Sequence, residues 1–137
     1  MRKKDEAKPE VIFEASLDVL INHGFVNFSM GRVAKQAKIA VGTIYLYFKH
    51  KDDLLNQLYF KLYKESVDRF LEHYNPNNSF RESLKLVWVN YLKHRINHYK
   101  ESHFLEQYYK SSYINDSHKQ MAEQMKKPIH DIIQKGK

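Results

Sequence analysis

The chain has 137 residues, 42% of them hydrophobic, and sets 23 Lys and Arg against 16 Asp and Glu for a formal net charge of +7. No apolar run approaches the roughly 20 residues that span a bilayer, and no apolar stretch of a secretory signal follows the charged start. Zero cysteines remove disulfides, thiolate catalysis and Cys-based zinc sites together. These features point to a folded cytoplasmic protein with no membrane partner, and the basic balance points to a polyanion without choosing which one.

Glycine and proline, 4 and 3 residues, are scarce and stand at junctions, so the chain reads as all-α. A first helix is expected over 9–23, with Pro9 in its first turn, Val11, Ile12, Ala15, Val19 and Leu20 at helical spacing, and Gly24 as a left-handed stop. Ser29 caps a second, short helix to residue 37. Residues 38–40 form a tight connection, and a third helix follows over 41–48.

A fourth helix starts near Lys51, with Asp52 and Asp53 well placed against its N-terminal dipole. Its apolar positions carry it to the break at Asn75-Pro76-Asn77-Asn78, on the order of 35 Å. Such a rod connects a head to a body, which places a helix-turn-helix head at 1–50 and a helical body at 51–137.

Ser79 and Glu82 form a capping box that opens a fifth helix. Phe80, Leu84, Val87, Trp88, Tyr91 and Leu92 lie on one broad apolar stripe of it. A sixth helix is expected over 101–113. A seventh runs from the cap at Asn115 toward Ile133, with Pro128 kinking or dividing it. The count is about seven helices.

The charge is unevenly spread. Not one Asp or Glu lies between Val19 and Lys51, while Arg32, Lys35, Lys38, Lys49 and Lys51 do. A cationic segment releases the counterions of a phosphate backbone on contact. The second and third helices, joined by three residues, have the lengths of a helix-turn-helix over 29–48, which seats one helix across the DNA backbone and the next in the major groove.

The third helix opens with slender residues. Gly42 permits close approach, and Thr43 offers a hydroxyl and a methyl to base edges. Tyr45 and Tyr47 each bring a phenol within reach of a phosphate, and Lys51 adds a charge at the next helix start. Packing explains Ile44 and Phe48 better than DNA contact does, and Ser29 serves as a helix cap whether or not it also meets a phosphate.

At these residues the chain resembles the TetR family of bacterial transcriptional regulators. The matching residues are Val33-Ala34-Lys35-Gln36-Ala37 and the run from Gly42-Thr43-Ile44-Tyr45-Leu46-Tyr47-Phe48 to Leu54. The resemblance implies a homodimer on a palindromic operator in double-stranded DNA. It also implies repression relieved by a small-molecule inducer bound in the body. Carried over by position, Ser29, Tyr47 and Lys51 match phosphate contacts, while Val41, Thr43 and Tyr45 reach the groove. Two positions depart from the family pattern: Lys38 stands where glycine is usual in the turn, and Ala40 where a Ser or Thr caps the third helix. Family members continue into further long helices that build the dimer, so the resemblance implies either a fragment, its body incomplete at the C-terminus, or a short form with weakened dimerisation.

In the body, Tyr63, Trp88, Tyr91, Phe104 and Tyr108 are the candidate walls of an inducer pocket, where aromatics suit flat or cationic ligands and Glu106 offers a carboxylate to a cation. Helical spacing also suits these rings to a plain core. His94 and His98, four apart on one helix face, have a spacing zinc can use, but Arg95 stands where a metalloprotease has its Glu, and no third ligand presents itself. No metal site, cofactor or catalytic group is expected, and the chain is not read as an enzyme. A DNA-binding module that senses nothing, or a histidine-dependent metal protein, are the alternative functions.

Overall fold

The structure, a computed structural model, describes residues 8–136. The charged leading residues, read above for a secretory signal, and the final Lys137 lie outside the described residues. The elements in order are α1 (Lys8–His23), α2 (Met30–Ala37), α3 (Val41–Tyr45), α4 (Lys51–Phe70), α5 (Phe80–Asn97), α6 (Tyr99–Lys110) and α7 (Asp116–Lys135). The fold is all-α, as the composition leads one to expect. The chain divides into two units, and the division falls inside α4, between Leu58 and Tyr59. Leu54, Leu55 and Leu58 are fully buried and belong to the first unit, so that unit extends one helical stretch past the boundary expected at residue 50.

In the first unit, α1 packs against α2, and α2 against α3. Ile12, Val19, Leu20, Val33, Ile44 and Phe48 are buried there, and Phe48 meets Phe13 edge to face at 5.3 Å. Gly24, at φ 78°, ends α1 with its N–H on the Leu20 carbonyl at 2.9 Å. The third helix is shorter than its expected 41–48. Regular α geometry ends at Tyr45, after which Leu46 and Tyr47 donate to the carbonyls three residues back, at 3.2 and 3.0 Å. This tighter winding carries the chain to Phe48 and lets its ring reach the core.

In the second unit, α4 stops at Phe70 rather than near Tyr74, because His73 takes a left-handed φ of 66°. Its end is closed from outside. The amide of Asn90, on α5, donates to the carbonyls of Phe70 (3.0 Å) and Glu72 (2.9 Å), two groups the helix itself leaves unbonded. His98 is at once the last cap of α5 and the first of α6, which begins at Tyr99 and not at Glu101.

The buried positions of α5 are Ser83, Asn90 and His94, while Leu84, Trp88 and Leu92 of its apolar stripe are exposed. Helix α7 runs undivided through Pro128. The carbonyl that the proline leaves unbonded belongs to Gln124, on an exposed stretch where water can take it.

Candidate functional site

The surface of the first unit is set by its caps. Ser29 accepts the N–H of Arg32 on its hydroxyl at 3.1 Å, and remains exposed. Helix α2 ends in a Schellman turn, with Ile39 N–H on the Ala34 carbonyl at 3.0 Å and Lys38 held at φ 59° and ψ 43°. Ala40 begins α3 with an extended backbone and no side-chain cap. From that turn α3 shows Val41 (43% exposed) and Tyr45 (51% exposed) outward, with Ile44 on the opposite, fully buried side. Thr43 and Tyr47 are half-buried. Gly42 is exposed, and a Cβ built there meets nothing within 4 Å, so the fold itself does not require a glycine.

The start of α4 contains an arrangement that sequence reasoning missed. His50 Nδ1 accepts the N–H of Asp53 at 3.2 Å, and the Asp53 carboxylate accepts the N–H of Lys49 at 2.8 Å. This is a capping box with histidine in the place of Ser or Thr. Burial acts to raise the Asp53 pKa, but bonds from Gln57 and the Lys49 N–H, with the charges of His50 and Lys49, hold it below its ordinary value. Half-buried Lys51 is the first residue of the helix this box secures. A histidine is a rare cap, and only its spacing to Asp53 could have signalled the role.

The second unit holds a cavity of about 400 Å³ between α4, α5, α6 and α7. Its walls are chiefly apolar: Val67 and Phe70, Leu84 and Val87, Leu105, Ile129 and Ile133. Of the five pocket candidates, Tyr63, Trp88 and Tyr91 line it. Phe104 and Tyr108 do not. They lie in the core, where the Tyr108 ring stacks on Tyr59 at 4.5 Å. Burial first, then the charges of neighbouring ionisable groups, pushes the Tyr59 phenol up to about 12 and the Tyr63 phenol up as well.

Arg95, Glu106 and Lys126 bring charge to the cavity, and Glu106 is bound to Arg95 at 2.5 Å. His94 also lines it, an apolar-walled position that helical periodicity had not marked as a pocket residue. The rings of His94 and His98 stack at 5.1 Å, and among the described residues no group of three or more His, Cys, Asp or Glu is placed to hold a metal.

Residues 12–58 match the family model for bacterial regulatory proteins of the tetR family. Residues 12–58 are thus a TetR-family region. An uncharacterized HTH-type transcriptional regulator of Haemophilus influenzae is 33% identical over 90 residues, which are 66% of this chain and 48% of that protein. The fatty acid metabolism regulator protein of Bacillus subtilis is 34% identical over 85 residues, 62% of this chain and 44% of that one. The chain thus spans about half the length of these curated relatives.

Among solved structures, a TetR family transcription regulator from Marinobacter aquaeolei VT8 shares the fold at a TM-score of 0.90 and 22% identity, covering 99% of this chain and 71% of that one. The transcriptional regulator FadR of Bacillus subtilis, solved in complex with stearoyl-CoA, matches at a TM-score of 0.73 and 26% identity over 90% of this chain and 65% of its own.

Within that region the outer side of α3 stays exposed, while the turn before it departs from the family pattern. Lys38 shows that a non-glycine residue occupies the left-handed position, and Ala40 that α3 starts without a side-chain cap. The interior of the first unit and the exposed residues of α3 are cleanly separated, which leaves Val41, Gly42 and Tyr45 available to a partner. No helix among the described residues is long and apolar enough to cross a membrane.

Proposed function

We propose that the chain is a transcriptional repressor that binds a palindromic operator in double-stranded DNA as a homodimer and leaves it when a small molecule fills the cavity of the second unit. The observation that carries this reading is the surface of α3. Its buried side anchors at Ile44, while Val41, Gly42 and Tyr45 are exposed on a segment without acidic residues from Val19 to Lys51. In the major groove Val41, Gly42, Thr43 and Tyr45 meet bases by shape and methyl contact, and Ser29, Tyr47 and Lys51 meet phosphates. Two recognition helices of a dimer then stand about 34–36 Å apart, one turn of DNA, or a multiple of it.

The ligand half rests on the apolar walls and size of the cavity, which suit a small molecule. The stearoyl-CoA bound to the FadR relative favours an acyl chain as its occupant. Selection of bound sites from random DNA, followed by a salt titration of the winner, tests the DNA half. A two-fold-symmetric site with a steep salt slope supports it, and a selection that enriches no sequence overturns it. Addition of acyl ligands to the complex tests release.

A further inference from the structure

The cavity holds a polar group that the protein leaves without a partner. His94 is 4% exposed, both its ring nitrogens are buried and unbonded, and the residue lines the cavity. Its ring neighbours, Phe70 edge-on at 5.4 Å and His98 stacked at 5.1 Å, satisfy neither nitrogen. A neutral imidazole has one donor and one acceptor to offer, and burying both unmatched is costly.

The charges around it come from every helix of the cavity. Arg69 and Glu65 act on it from α4, and Arg95 and His98 from α5. Glu106 of α6 and Lys126 of α7 line the same space. The acidic groups are engaged: Glu65 with Lys61 at 2.6 Å, Glu106 with Arg95 at 2.5 Å, and Glu101 with His98 at 3.3 Å. Lys126 is paired with Glu123 at 2.7 Å. Burial first, then His98, Arg69 and Arg95, lowers the His94 pKa to about 4, against the opposing charge of Glu65. Burial disfavours charge of either sign, whereas the cationic neighbours Arg69 and Arg95 favour an anion beside the ring.

We infer that the cavity takes an amphiphile with an apolar chain and a single carboxylate end, and that His94 receives the carboxylate. The inference rests on the cavity being the ligand site proposed above, and adds the chemistry of the ligand's end. The chain packs along Phe70, Trp88, Tyr91 and Ile133. A turn of the His94 ring brings a buried N–H to one carboxylate oxygen. The arriving anion offsets the cations, so the ring takes up a proton from solvent and the bond becomes charge-assisted. An alcohol of equal chain length fills the same walls but brings no charge. A coenzyme A thioester carries its anions on a bulky head away from the acyl carbonyl.

Trp88 is the only tryptophan of the chain and lines the cavity stacked on Tyr91, so its fluorescence reports occupancy. Decanoate, decanol and decanoyl-coenzyme A are titrated separately into the full chain, below micelle-forming concentration, at about pH 7 and about pH 6. The expected result is decanoate binding about tenfold or more tighter than decanol, tighter still at the lower pH, with net proton uptake by calorimetry in buffers of different ionisation enthalpy. His94→Leu brings the ratio of decanoate to decanol affinity toward one, while His94→Gln keeps part of that ratio and loses the proton uptake.

Equal affinity for decanoate and decanol overturns the carboxylate inference while the cavity reading stands. Tightest binding of decanoyl-coenzyme A, indifferent to His94→Leu, overturns it in favour of a thioester. Binding of none of the three overturns both readings. The comparison of ligands on the unaltered chain decides the matter even if a variant fails to fold.

Discussion

His50 and Asp53 close the start of α4 in both directions: the Asp53 N–H reaches His50 Nδ1 at 3.2 Å while the Asp53 carboxylate reaches back to the N–H of Lys49 at 2.8 Å. Asp53→Ala removes the return bond and frees the first turn, at a cost of about 1 kcal/mol typical of a lost cap, measured by urea unfolding of the first unit's helices. Because the folded-state pKa of Asp53 is lowered, its contribution is present above the ordinary carboxylate pKa and is lost as pH falls through the folded value. In the variant that part of the acid dependence disappears. Lys51 rides on the same turn, so DNA affinity should fall for all sequences alike.

Gly42 lets folding and DNA binding be tested apart. A Cβ at this position meets nothing within 4 Å, and a helix favours alanine over glycine by up to about 1 kcal/mol. Gly42→Ala should therefore leave the melting temperature unchanged or raise it. If the exposed face of α3 enters the groove, the added methyl stands between backbone and bases, and operator affinity should drop. Thermal melting and gel-shift titration of one preparation read both effects. A variant that binds the selected operator as tightly as the parent would remove Gly42 from the interface.

The proposed division of labour along the motif has its own signature. Tyr47→Phe and Lys51→Ala should weaken binding to selected and random DNA by similar factors, and Lys51→Ala should flatten the salt slope by about one charge. Thr43→Ala should instead change which bases are preferred at one position of each half-site. Repeating the site selection with each variant checks this, and an unchanged preference with Thr43→Ala would place that residue among the backbone contacts.

What could be read in the sequence follows from how local each cause is. Helices α1 and α2 end where Gly24, Ser29 and the apolar spacing put them, because caps and periodicity act within a few residues. The apolar positions of α4 continue to Tyr74 and predict its end there, but His73 turns left-handed and Asn90, some 20 residues away in sequence, takes the terminal carbonyls. Phe104 and Tyr108 looked like pocket walls because an aromatic stripe is the same pattern whether it lines a core or a cavity. Only the stacking of Tyr108 on Tyr59 decides between them. His94 escaped for the opposite reason. A polar residue on an apolar helix face gives no periodic signal, and its lack of partners is a property of the packed unit.

The departures at the turn are correctable. Lys38 holds φ 59°, where a Cβ is disfavoured by about 1 kcal/mol and glycine is not. Lys38→Gly should raise the stability of the first unit by roughly that amount, less the extra entropy of a glycine when unfolded. Ala40→Ser should add the cap that α3 lacks, again about 1 kcal/mol, since Ala40 already has the extended backbone a capping serine needs. Urea midpoints followed by far-ultraviolet circular dichroism give both values. Loss of stability in Ala40→Ser would mean that the hydroxyl finds no N–H of the first turn.

His94 also makes the stability of the second unit depend on pH. Its folded-state pKa is about 4 against an ordinary 6.5, with burial the first cause and the charges of His98, Arg69 and Arg95 next. The unfolded chain therefore binds this proton more readily than the folded one. Above about pH 6.5 the two states hold the same number of protons and nothing is lost. As pH falls from there toward 4, stability drops with a slope approaching about 1.4 kcal/mol per pH unit from this group. His94→Leu removes both the titration and two buried nitrogens without partners. It should flatten that part of the profile and leave the unit at least as stable near neutral pH. Urea unfolding followed by Trp88 fluorescence, at intervals between pH 4 and pH 7, reads the unit directly. A parent profile as flat as that of the variant would show that the buried ring is already served by a bond in the folded chain.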